Sequence, residues 1–182
     1  ERKETGRIYL QNVDHANTHG AFIEKQAPIH QSNLCCEIDL PSHGLESYDD
    51  TDKGEISLCT LSAINWGLIN DPSQFEHYCE LAVRSLDALL DYQNYPVIAA
   101  ERSTMARRPL GVGIINFAYF LAKRGLKYND EALVTVDLYA EAWSYYLIKA
   151  SANLAIEQGT CYKNLETKYG HGILPIDSYK PE

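Results

Sequence analysis

Asn33, Cys35 and Glu37 place an amide, a thiol and a carboxylate at alternate positions of Gln31-Ser32-Asn33-Leu34-Cys35-Cys36-Glu37. On an extended chain, alternate side chains point to the same side. The three polar groups are therefore expected on one face of a strand over about 32–40, roughly 7 Å between successive ones. Leu34 and Cys36 would face the other way, Leu34 to pack and Cys36 as a small core residue. Anionic Glu37 beside Cys35 disfavours a thiolate by like-charge repulsion, whereas a nucleophilic cysteine wants a positive neighbour. The set suits a thiol working as S–H or as a sulfur radical, next to a carboxylate able to take a proton from a substrate hydroxyl.

Elements on either side must position this set. Arg7 to Val13 alternates enough for a short strand, and the polar stretch Asp14 to Gln31, with Gly20 and Pro28, reads as loop. His15 and His19 are four apart, but hydrogen-bonded loop histidines are preferred to metal ligands, since no helix signal or Cys-x-x-Cys accompanies them. Pro41 ends the finger strand. Residues 41–53 form a surface loop whose Asp49-Asp50-Thr51-Asp52 cluster lacks the spacing of a calcium-binding EF-hand. A second strand is expected at about 55–61, and the apolar run 60–70 suits a buried segment of a mostly parallel sheet.

Asp71-Pro72 opens a helix as N-cap and first helical residue. Phe75, Cys79, Ala82, Leu86 and Leu89 mark its buried face, with Cys79 in the core. Arg102, Arg107 and Arg108 lie in an expected loop from Val97 to Pro109. They could meet phosphate, but pairing with the chain's own carboxylates is favoured. Leu110-Gly111-Val112-Gly113 is not a full dinucleotide fingerprint, because Asn116 stands where the third glycine belongs. Its glycines are expected to allow close packing at the start of a helix over about 112–124, ended by Gly125. A long helix follows Asn129, with a stripe at Leu133, Val136, Ala140, Trp143, Leu147, Ala150 and Leu154, stopped by Gly159. The tail reads as loop with a short strand near Gly172 to Pro175. The order of strands and helices is that of an α/β protein.

Length and composition bound the function. The 182 residues suffice for one ordinary domain, and 45% hydrophobic content argues against disorder. Lys plus Arg number 16 and Asp plus Glu 25, a formal charge of −9, which is unsuited to nonspecific nucleic-acid binding. No apolar run reaches the length of a membrane span, and no leader for export is apparent. Cys35, Cys36, Cys59, Cys79 and Cys161 form an odd, unevenly spaced set. That favours free thiols in a reducing, cytoplasmic setting over a secreted disulfide scaffold.

Asn33-Leu34-Cys35-Cys36-Glu37 resembles the active-site finger of the large, catalytic subunit of class I ribonucleotide reductase. The resemblance continues through Gly6-Arg7-Ile8-Tyr9, Asn12-Val13-Asp14-His15 and Gly54-Glu55-Ile56-Ser57-Leu58-Cys59-Thr60-Leu61-Ser62. Further blocks are Ala88-Leu89-Leu90-Asp91-Tyr92-Gln93, Arg107-Arg108-Pro109-Leu110-Gly111-Val112-Gly113 and Gly172-Ile173-Leu174-Pro175-Ile176-Asp177. It covers essentially the whole chain, as a fragment of the catalytic barrel domain over 1–182. It implies part of a ten-stranded α/β barrel with the finger through its centre.

The resemblance also implies roles. Cys35 corresponds to the transient thiyl radical that takes the ribose 3′ hydrogen, and Glu37 to the base for the 3′-hydroxyl proton. Asn33 corresponds to a residue hydrogen-bonded to the ribose hydroxyls, since an amide is too weak a base to accept the proton. Asn33, Leu34, Cys35, Cys36 and Glu37 line the ribonucleoside diphosphate. Cys59, alone a candidate buried strand cysteine, corresponds beside this motif to one half of the redox pair that reduces the 2′ position; the other half lies upstream of this chain in the family. No metal or cofactor is expected in this chain. The radical is supplied by a metal-tyrosyl small subunit, and electrons by an external dithiol of the thioredoxin or glutaredoxin type. Family subunits are several times longer and this chain starts at Glu1, so it is expected to be an excised segment or one product of a split gene. Its partners would be the remaining segments of the large subunit and the small subunit, with no nucleic acid or membrane. A noncatalytic assembly piece of a split reductase is the alternative. A cysteine hydrolase is disfavoured because no histidine is recognisably paired with Cys35.

Overall fold

The computed structural model describes residues 1–47 and 53–179; the Asp49–Asp52 cluster lies outside them. The chain forms two compact units, one made of residues 1–58, 95–107 and 161–182, the other of 59–94 and 108–160.

The second unit is built on a parallel pair of strands, β1 (Leu61–Asn65) and β2 (Gly111–Ile115), with Leu61 opposite Gly111 and Asn65 opposite Ile115. The expected strand at 55–61 is thus displaced to 61–65, and the expected helix from 112 starts as a strand. The glycines explain the second difference. A Cβ on Gly111 would sit 2.5 Å from the Leu61 Cδ2 atom, so the close approach occurs between strands rather than at a helix start. Helix α5 (Phe117–Lys123) begins only after Asn116, whose φ is 62°, and Gly125, at φ 71°, follows its end.

Asp71 accepts from the Ser73 backbone N–H at 2.9 Å, and Gln74 reaches back to the Asp71 N–H, with Pro72 at the first position. This capping box launches a 3-10 turn and then α3 (Phe75–Tyr92). The buried stripe of α3 is Phe75, Cys79, Val83, Leu86 and Leu90; Leu89, expected inside, is 51% exposed. The long helix α6 (Leu133–Gln158) packs along α3. Its Val136, Ala140, Trp143 and Leu147 flank the core, Ala150 and Leu154 are buried, and Leu133 is exposed. The core gathers around Trp66, ringed by Phe75, Phe117, Phe120, Tyr139 and Trp143 at centroid separations of 5.3–6.3 Å. Burying rings of this size contributes roughly 1.5–3 kcal/mol each.

In the first unit a small apolar cluster is accompanied by buried polar bonds. No strand forms at 7–13. Helices α1 (Arg2–Thr5) and α2 (Val13–His19) flank that stretch, where Ile8 and Leu10 are exposed. Helix α2 escapes the periodicity argument because the residue it buries is Asn17. The Asn17 amide donates to Val13 O and Ile29 O, both at 2.9 Å, and accepts from Ile29 N–H at 2.8 Å. Beside it lies a small cluster of Phe22, Ala27 and Ile29. The expected loop at 97–109 contains helix α4 (Ile98–Arg107), which buries small side chains such as Ala99, Ala100 and Ala106 and so shows no large apolar stripe. The tail carries 3-10 turns at Asn164–Glu166, Tyr169–His171 and Pro175–Tyr179 rather than a strand near Gly172.

Candidate functional site

Asn33 heads a turn. Its carbonyl accepts from Cys36 N–H at 3.0 Å, closing a four-residue turn with Leu34 and Cys35 at its centre. Its side-chain oxygen accepts from the N–H groups of Glu37 and Ile38, both at 3.1 Å, and its own N–H reaches Ile38 O at 3.4 Å. Ser32 Oγ donates to the same carbonyl at 2.9 Å. The finger is therefore a stapled turn and not the expected strand. Asparagine side chains bond readily to the backbone just ahead of them, and here that local bonding wins over alternation.

Two consequences follow for the predicted set. Asn33 and Glu37 do come together, Asn33 Nδ2 donating to Glu37 Oε1 at 2.6 Å, but through the turn. The other Glu37 oxygen accepts no hydrogen bond among the described residues. Leu34 and Cys36 do not pack as a back face: Leu34 is 83% exposed and Cys36 is exposed as well. Cys36 sits at φ 58°, in the left-handed region that costs a residue with a Cβ roughly 1–2 kcal/mol. Cys35 is exposed at the turn's centre.

Cys36 also borders a cleft of about 420 Å³ within the first unit, lined in addition by His15, His19 and Asp39. The histidine rings on α2 lie 5.9 Å apart, edge to face, and Gln11 donates to Asp39 at 2.8 Å on the same rim. Sequence reading missed this wall; the four-residue spacing of His15 and His19 was its only signal. Among the described residues, no group of three or more His, Cys, Asp or Glu side chains is arranged to hold a metal ion.

Cys59 belongs to the second unit, in an irregular segment just ahead of β1, and it is exposed rather than buried in a strand. Cys79 is the buried cysteine: it has no accessible surface, its thiol lies 3.8 Å from Trp143 O, and burial pushes its pKa up to about 12. It is chemically inert at neutral pH.

Arg107 and Arg108 pair with carboxylates, as favoured, whereas Arg102 donates to the Gly54 carbonyl at 2.5 Å. Arg107 binds Glu55 at 2.8 Å and Glu166 at 2.8 Å, and Lys163 binds Glu55 at 2.7 Å. Burial works against the charge on Glu55, but the hydrogen bonds from Lys163 and Arg107 outweigh it and hold the carboxyl below its usual range. In the second unit Arg108 grips Asp87 at 2.6 Å and Asp91 at 2.8 Å. Nothing in the sequence singled out Glu55 as the centre of a buried ionic cluster.

The family model for the ribonucleotide reductase barrel domain matches residues 1–182. The ribonucleoside-diphosphate reductase subunit alpha of Haemophilus influenzae is 57% identical over 183 aligned residues, taking in 100% of this chain and 24% of that protein. The corresponding subunit of Enterobacteria phage T4 is 45% identical over 98% of this chain and 23% of its own length. Among solved structures, the Actinobacillus ureae class Id ribonucleotide reductase alpha subunit superposes with a TM-score of 0.77 at 27% identity, covering 93% of this chain and 32% of that one. The chain thus spans about a quarter of the length of these curated relatives.

Proposed function

Because the chain belongs to the ribonucleotide reductase barrel domain family, we propose that it is the finger-bearing part of a ribonucleoside-diphosphate reductase catalytic subunit, working within a ten-stranded α/β barrel that the rest of the subunit completes. The observation that carries this reading is the stapled turn, which ties Glu37 to Asn33 and leaves the Cys35 thiol exposed at its centre, in a chain matched by the family from end to end.

The turn's residues then divide the work. Cys35, as a transient sulfur radical, takes the 3′ hydrogen of a ribonucleoside diphosphate. Glu37 takes the 3′-hydroxyl proton on the oxygen not bonded to Asn33. Asn33 uses one amide hydrogen to hold Glu37 and offers the second to a ribose hydroxyl. Leu34 and Cys36 border the sugar. Cys59 supplies one of the two thiols that reduce the 2′ position; its partner cysteine comes from polypeptide outside this chain. A metal-tyrosyl small subunit provides the radical, and a thioredoxin- or glutaredoxin-type dithiol re-reduces the pair. Exposed thiols at Cys35, Cys36 and Cys59 suit a reducing, cytoplasmic setting. No helix among the described residues is long and apolar enough to cross a membrane.

The test is reconstitution with the missing segments of the subunit, the small subunit and reductant. Cys35→Ser should abolish deoxynucleotide formation, because a hydroxyl holds its hydrogen too tightly to form the radical. Cys59→Ser should permit the first hydrogen abstraction but not completed reduction, so radical loss and product formation separate. Normal turnover by Cys35→Ser would overturn the reading.

A further inference from the structure

Cys36 borders the sugar in the proposed reaction, but that reaction makes no use of its thiol. It is adjacent to Cys35, both thiols are exposed, and its backbone is held at φ 58°. The turn needs only a backbone N–H from this position, and glycine or asparagine would supply it with less strain. A side chain retained at a strained position points to a use for that side chain.

We propose that Cys35 and Cys36 form a reversible vicinal disulfide that reversibly takes the finger out of service under peroxide. The minor thiolate fraction of one of these two exposed thiols attacks hydrogen peroxide and becomes a sulfenic acid, releasing hydroxide; the carboxylate of Glu37 keeps this step slow, so it needs added peroxide. The neighbouring thiol then displaces water from that sulfur, forming the S–S bond. Overall two thiols and one peroxide give one disulfide and two waters. Reduction by a dithiol returns both thiols through a mixed disulfide. Neighbouring Cα atoms across a trans peptide are about 3.8 Å apart, below the roughly 4.4–6.8 Å span that relaxed disulfides adopt. Such a bond is strained and easily reduced, the property of a switch rather than of a structural bridge. Its benefit is protection: a captured sulfenic acid cannot proceed to the irreversible sulfinic acid. Loss of activity on oxidation rests on the role proposed for Cys35; formation of the bond does not.

Trypsin would release residues 26–53 as one peptide containing Cys35 and Cys36 and no other cysteine. After mild peroxide treatment of the native 182-residue chain, this peptide should be lighter by two hydrogens, resist alkylation and carry no second peptide. Dithiothreitol should restore both alkylatable thiols. In Cys36→Ser, the same treatment should carry Cys35 on to sulfinic acid. Cross-linking of 26–53 to a peptide holding Cys59 or Cys161, or two freely alkylated thiols after Cys59 has been oxidised, would overturn the proposal. In the reconstituted enzyme, the wild type should regain its own starting activity on reduction, whereas Cys36→Ser should lose its own irreversibly. If the disulfide maps as expected but Cys35→Ser still turns over, the assigned reaction fails and the switch chemistry stands.

Discussion

Asn33→Asp and Asn33→Ala separate two uses of one side chain. The aspartate keeps an oxygen for the N–H groups of Glu37 and Ile38, but it turns the Nδ2 contact with Glu37 into a meeting of two carboxylates. Amide hydrogen exchange at Glu37 and Ile38 should stay slow in this variant while reductase activity in the reconstituted enzyme falls. In the alanine variant both amides lose their acceptor, at about 0.5–1.5 kcal/mol for each bond, and should exchange faster. Unchanged exchange in Asn33→Ala would mean the staple does not hold the turn. The residue types of the site were legible from sequence, but their geometry was not. Asn33-x-Cys35-x-Glu37 satisfies the period of a strand, and an asparagine able to bond ahead of itself equally satisfies a turn. Alternation has no means of choosing between the two.

At the scale of elements, α3 was readable from its capping box and apolar stripe, and α6 from its stripe and the Gly159 that ends it. Helices α2 and α4 were not, because each buries polar or small side chains in place of a large apolar stripe. Helix α4 ends on Arg107, which is 3% exposed and binds Glu55 and Glu166. Arg107→Met should destabilise its surroundings by about 3–5 kcal/mol at neutral pH, the usual result of removing one partner of a buried pair. The pH dependence has a definite sign. The carboxyl of Glu55 is held below its usual range in the fold, so its stabilising contribution is complete above the unfolded value of about 4.3. It is lost as pH falls through the lower folded value. Exchange of the Ile56 amide, which bonds to Ala99 O at 3.1 Å, should therefore lose protection relative to the unfolded-chain rate on acidification in the wild type. In Arg107→Met that exchange should already be fast at neutral pH. Equal exchange in the two proteins at neutral pH would show that the cluster does not anchor α4.

At the scale of the molecule, the parallel pair β1–β2 is incomplete as a sheet. Two strands leave two unpaired edges, and parallel sheets are ordinarily covered on both faces. Here Leu61 and Ile115 are each 51% exposed and Ile114 39%. A mixture of helices and strands was legible from the sequence, but most of the expected strands do not form and β2 stands where a helix was expected, because strand pairing is set by partners distant in sequence and not by local periodicity. Relatives about four times as long have the polypeptide to supply those partners, and the strands' exposed side chains are where it would dock. The isolated 182-residue chain should therefore self-associate in sedimentation velocity, and the missing segments of the subunit should suppress that association. It should also form no deoxynucleotide by itself when small subunit and reductant are provided, since the proposed reaction needs a second redox cysteine from outside the chain. A monodisperse monomer with a sharp cooperative unfolding transition would argue that β1 and β2 need no further strands. Steady turnover by the chain alone would place the whole redox pair among its own five cysteines.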